Sequence, residues 1–204
     1  MSTATTISKQ LNLVIPLYNE DMKTVFAYAH SMPISEAAFD KYHRPMRAAY
    51  AQIWSDGDIR FGGAQTANKV LRDISKNMPG SAAGTTLWDA PDGVQAGLVN
   101  EMYQRTNILC IGQNGWETVT FDQAKKHKRI SAQDAEEVDA AVTFFTLVSV
   151  LNRRSTAQMI LDMCITLWGA STTSLNVTEY RSTLPTSIDA ETTGAKIPAS
   201  LVAC

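Results

Sequence analysis

The chain has 204 residues, of which 45% are hydrophobic, 8% aromatic and 19% charged, enough for one domain that buries roughly 70% of its unfolded surface. Eighteen Lys and Arg against twenty Asp and Glu leave a formal charge of −2, which provides no field for polyphosphate and argues against a general nucleic-acid or acidic-membrane binder. The longest apolar runs, 142–151 and 159–168, are interrupted by Thr, Ser or Asp and fall short of the ~20 residues that cross a bilayer.

Residues 1–8 are small and polar and are expected to be a disordered lead, without the basic region and apolar core of a secretory signal. Two β-favouring runs, 11–18 and 25–30, flank a polar turn and predict a hairpin, with Pro16 placing the first run at an edge or bulge. Ser35 caps a predicted helix whose apolar face is Phe39, Tyr42, Met46, Ala49, Tyr50 and Ile53, and Pro45 inside it implies a kink or two segments. A second helix carries Ala64, Ala67, Val70, Leu71 and Ile74 to about Met78. The loop 79–86 follows, and a third helix presents Val94, Leu98 and Met102 inward. A second hairpin, 108–111 with 116–121, closes through Asn114-Gly115, a pair that supplies positive φ.

Thr120 with Gln123 and Ser131 with Asp134 have the spacing of capping boxes and separate a short helix from a long one over about 132–152. The long helix has one stripe of Val138, Ala141, Val142, Phe145 and Val148 and an adjoining stripe of Phe144, Leu147 and Leu151. A buried strand through 142–151 is the alternative, against which stand the upstream cap and the recurrence of Thr143, Thr146 and Ser149. A further helix over 156–168 stops at Gly169, a short one covers 174–184, and 186–204 is expected to be a flexible tail. The fold class expected is therefore mainly α: about six helices with two short β-hairpins (α+β), in one globular domain over 9–185, with the 79–86 loop separating lobes 9–78 and 88–185.

The residues that carry chemistry do not converge. His30, His43 and His127 show no zinc-type spacing, and the three cysteines, Cys110, Cys164 and Cys204, suit a reduced cytosolic chain rather than a disulfide framework. Gly80–Gly84 is not a nucleophile elbow, because Ser81 follows the first glycine directly, and Gly62–Lys69 lacks the Gly-Lys-Ser/Thr of a phosphate loop. Asp56-Gly-Asp58 and Asp89-Ala-Pro-Asp92 read as turn chemistry rather than calcium loops. The basic run 125–129 and the acidic run 134–139 are either complementary docking ends or solvated helix faces. No catalytic residue, cofactor site or metal site is predicted, although His43 three residues after Asp40 leaves a small hydrolase as an outside alternative.

Three stretches together are similar to the tail assembly chaperone family of long-tailed bacteriophages. These are 14–18 with 28–34, 88–94 through 114–116, and 142–145 through 167–180, so that the resemblance covers about 10–185. It implies a largely helical, non-catalytic protein of the infected host's cytoplasm that coats the tape-measure protein, helps recruit tail-tube subunits and leaves the finished virion. It also implies a frameshift junction, placed here in 192–203. The β content and mild charge leave a structural virion protein, a tail-completion or adaptor subunit, as the alternative. Client contact is expected through Phe144, Leu147 and Leu151, with both stripes being core as the competing reading. Self-association is compatible with the same apolar helix.

Overall fold

The structure, a computed structural model, describes residues 11–19, 24–55, 62–112 and 115–185. Strands β1 (Asn12–Tyr18) and β2 (Val25–Ser31) form the first hairpin, with Leu13 opposite Ser31 and Ile15 opposite Ala29. A long helical excursion then carries α1 (Glu36–Ser55), α2 (Ala67–Lys76) and α3 (Asn100–Gln104), the last entered through a π-helical turn at Gln95–Val99. The chain returns to the sheet as β3 (Thr106–Gly112) and β4 (Gly115–Thr120). There follow α4 (Phe121–Lys126), α5 (Ala132–Leu151), α6 (Arg154–Cys164) with a 3-10 turn at Ile165–Trp168, β5 (Ser171–Thr173) and α7 (Val177–Thr183).

The expectation of a mainly helical chain with two short hairpins is corrected here. β2 pairs with β3 over Ala27–Ser31, Ala29 opposite Ile108, and β5 adds to the far side of β1, so the hairpins fuse into one five-stranded antiparallel sheet of order β4-β3-β2-β1-β5. Seven α-helices, rather than about six, accompany it among the described residues. β5 is three hydroxyl residues without an apolar side chain, and only its partner Asn12–Val14 makes it a strand. β5 pairs only as far as Val14, so Pro16, opposite Tyr28 of β2, lies beyond the stretch that β5 covers, and the register shifts between Leu17 and Tyr18.

One sheet face is core. Leu13, Ile15, Leu17, Ala27, Ala29, Ile108 and Cys110 alternate inward from three strands and join one cluster with residues from both sides of the 79–86 loop. That loop is itself tied at its neck, by the Leu87 N–H to the Met78 carbonyl at 2.8 Å and the Gly80 N–H to the Thr85 carbonyl at 2.9 Å. α5 crosses this core, touching β1 on one side and α1, α2, α3 and α6 around the rest. Its start is set by a full capping box at Ser131 and Asp134, as α4's is by Thr120 and Gln123 and α7's by Asn176 and Glu179. α1 runs unbroken through Pro45, which is buried inside it, so the two-segment reading gives way to one helix. A latch anchors its N-terminus: Glu101 Oε1 accepts from the Ser35 N–H at 2.7 Å and from Arg105 Nε at 3.0 Å, while Arg105 Nη1 donates to the Pro33 carbonyl at 3.0 Å.

The other sheet face is covered by residues 174–185. The Leu175 carbonyl accepts from Asn12 Nδ2 at 2.9 Å and from His30 Nε2 at 3.0 Å, and Trp116 Nε1 donates to the Pro185 carbonyl at 2.7 Å. Tyr180 packs edge-on against Tyr28 and at a tilt against His30, with ring centroids 5.9 Å away in each case. No residue of α7 is fully buried, so this strap is held by hydrogen bonds and ring contacts more than by apolar burial. The predicted lead, tail and frameshift junction, together with Asp56, Asp58, Asn114 and Cys204, lie outside the described residues.

Candidate functional site

Of the three residues expected to contact a client, Phe144 and Leu147 lie in the core. Phe144 and Leu147 are each 1% exposed, with the Phe144 ring 6.3 Å from that of Trp168, and Leu151 is half-buried. Side chains as closed in as Phe144 and Leu147 offer no surface to a client. α5 is apolar around most of its circumference because it is surrounded, as the reading of both stripes as core anticipated.

The large apolar side chains that do face solvent are elsewhere. Among the described residues they are Trp54 at 38%, Met159 at 66% and Met163 at 38%. On α6, Ala157, Ile160, Leu161 and Cys164 turn into the core, which leaves Met159 and Met163, four residues apart, as neighbours on the outer face. Trp54 stands at the end of α1, edge-on to Tyr50 at 5.8 Å. Tyr50 in turn bonds Asn152, whose Nδ2 donates to its hydroxyl at 3.0 Å, so the end of α1 is pinned to the corner from which α6 departs. The ridge was legible in the sequence as two methionines opposite the inward set of one helix, but the apolar character of 156–168 hid it.

The histidines and cysteines occupy separate places. His43 is exposed, and its Nδ1 lies 2.9 Å from the Asp40 backbone carbonyl rather than from the Asp40 carboxylate, so the pair is not an acid–base dyad. His127 caps the C-terminal end of α4, and Cys110 and Cys164 are buried. His30 lies fully buried beneath the strap, and burial pushes its pKa below the ordinary value, an effect that its bond to the Leu175 carbonyl offsets only in part. Facing a carbonyl, its Nε2 is the donor, and its Nδ1 and the nearby Asn12 Oδ1 are both buried without a partner among the described residues. Asp89 and Asp92 serve turns, accepting from Thr86 and Ser81. No group of three His, Cys, Asp or Glu stands close enough to hold a metal ion among the described residues, and no helix there is long and apolar enough to cross a membrane.

A cleft of about 600 Å³ lies between α2, the Trp88 loop, α3, α4 and α5. On α5, Ala135, Glu136, Asp139 and Thr143 line it at helical spacing. The Asp139 carboxylate accepts from Asn68 Nδ2 at 2.8 Å. Burial raises its pKa above the usual carboxyl range, against the opposing influence of Asn68, Tyr103 and Lys125. The Tyr103 phenol is pushed far above its ordinary value, first by burial and then by the Asp139 carboxylate, so it keeps its proton. Lys125 Nζ lies 4.3 Å from the Tyr103 ring centroid and 4.6 Å from that of Phe121, and Arg72 lies 5.9 Å from that of Trp88. In the sequence Asp139 is only the end of an acidic run; nothing local distinguishes the one member that turns inward.

No protein-family model matches the chain, and no curated protein or solved structure matches it either.

Proposed function

We propose that this protein is a phage tail assembly chaperone that shields the tape-measure protein in the host cytoplasm and helps recruit tail-tube subunits, without catalysis. The observation that supports the reading is the exposed Met159–Met163 ridge on α6, to which client contact is now assigned in place of Phe144, Leu147 and Leu151. A tape-measure protein is a long helical client whose apolar stripes need cover, and flexible, polarisable methionine side chains adapt to many such stripes without demanding one sequence. The stretches that carry the family resemblance fall in β1 and β2, from the Trp88 loop through β3 to the start of β4, in the middle of α5, and from the 3-10 turn into the strap.

A structural virion subunit is the second reading, and β4 favours it. β4 is an outer strand of the sheet, and such a strand presents unpaired backbone groups to which a neighbouring subunit's strand can add. Mass spectrometry of purified virions separates the two. The chaperone reading predicts that the chain is abundant in infected cells and missing from particles, whereas a fixed copy number per particle would establish the structural subunit instead.

A further inference from the structure

The charges around the α2–α5 cleft pair off and leave two over. Lys69 Nζ lies 2.9 Å from Glu136, and Lys125 Nζ lies 3.2 Å from Asp122. Asp139 has no cationic side chain within ion-pair distance among the described residues, and Arg72, resting on Trp88, has no carboxylate there. Asn68, which bonds Asp139, and Arg72 are four residues apart on α2, so the spare negative and positive groups are placed over successive turns of one helix. The rings of Trp88 and Tyr103 line the same cleft, as do the side-chain amides of Gln95 and Asn100. The volume lies within the usual range of small-ligand sites, and a partly buried carboxylate in such a site forms strong charge-assisted bonds with an ammonium or guanidinium group.

We propose that this cleft binds a free basic amino acid of the arginine or lysine class. The side-chain cation bonds Asp139, the α-carboxylate bonds Arg72, and the alkyl stem lies along the Trp88 and Tyr103 rings. Groups placed over successive turns of a helix favour a ligand whose opposite charges stand at the two ends of a stem over a short zwitterion such as glycine. This assignment is independent of the chaperone reading.

Isothermal titration of the full chain tests it with four probes: L-arginine, agmatine, which lacks the carboxylate, L-norleucine, which lacks the side-chain cation, and the tripeptide Gly-Gly-Arg. Saturable binding of L-arginine is expected, at least tenfold weaker binding of agmatine, and none of L-norleucine. Asp139→Asn should weaken L-arginine at least tenfold, and Arg72→Gln, a change on an exposed side chain that leaves the core untouched, should bring it to the level of agmatine. No saturable binding of L-arginine, or equal binding by the wild type and both variants, would overturn the proposal. Tighter binding of Gly-Gly-Arg than of L-arginine would overturn the free amino acid in favour of a peptide C-terminus, and weaker binding would support it.

Discussion

Replacing Leu147 and Met159 by alanine, one at a time, separates core from surface on the two helices that a client-binding account must tell apart. Leu147 is 1% exposed, so Leu147→Ala removes three carbon groups from a closed environment. At about 0.8 kcal/mol per buried methylene the transfer part alone is about 2.4 kcal/mol. A residual cavity adds to this, since α5 is gripped on several sides and cannot collapse freely, for a total of about 3–4 kcal/mol. For a chain of this size that corresponds to a fall in Tm of roughly 6–16 °C. Met159 is 66% exposed, and Met159→Ala should change stability by less than about 0.5 kcal/mol. Urea unfolding followed by far-ultraviolet circular dichroism and tryptophan fluorescence gives both values. A cost below about 1 kcal/mol for Leu147→Ala, or a comparable cost for the two substitutions, would refute the assignment of α5 to the core and α6 to the surface.

Three further outcomes follow from local geometry. A Cβ at Gly97 would overlap the Tyr42 hydroxyl, which donates to the Asp92 carbonyl at 2.9 Å, so Gly97→Ala should cost about 2–4 kcal/mol in chemical denaturation, the sum of overpacking and the lost bond. Glu101→Ala removes the acceptor shared by Ser35 and Arg105 and should cost about 2–3 kcal/mol, with Glu101→Gln costing less because an acceptor oxygen remains. Burial opposes the Glu101 charge, but Ser35 and Arg105 outweigh it and hold its pKa below the ordinary range, so its contribution is present at neutral pH and is lost as pH falls through that lowered value. Asp139 has the opposite sign: burial first raises its folded pKa, so the folded chain holds that proton more tightly than the unfolded one, and its contribution is greatest below the ordinary aspartate pKa of about 3.9. Asp139→Asn should therefore gain stability relative to the wild type as pH rises from there to neutrality, measured by unfolding across that range; a constant difference would contradict the raised pKa.

Local signals carried the helices and the hairpins, while pairing between distant segments stayed hidden. Thr120 with Gln123 and Ser131 with Asp134 are short-range motifs, and both appear in the structure as full capping boxes that begin α4 and α5. The same caps decide between helix and strand for 142–151, which hydrophobic periodicity leaves ambiguous. The pairing of β2 with β3 depends on residues nearly eighty positions apart, and β5 has no apolar pattern at all, so the union of the two hairpins into one sheet left no local trace. The burial of Phe144 and Leu147 was hidden for a related reason. The sequence shows that Phe144 and Leu147 are apolar, but whether a second layer covers them depends on where α1, α2 and α6 pack, and that is a property of the assembled fold. The strap was visible only as a short helix at 174–184; its docking on Tyr28, His30 and Trp116 joins segments more than sixty residues apart.

The central claim is that this chain keeps a long helical client in solution through the α6 ridge. Co-expression with a phage tape-measure protein, followed by affinity capture, tests it most directly, with the double substitution Met159→Glu and Met163→Glu as the matched control, since both side chains face solvent. The account predicts that the wild-type chain captures the client and raises its soluble fraction several-fold, and that the doubly substituted chain folds with unchanged Tm yet loses both effects. A well-folded wild-type chain that leaves the tape-measure protein insoluble, or a double variant that rescues it equally well, would contradict the account.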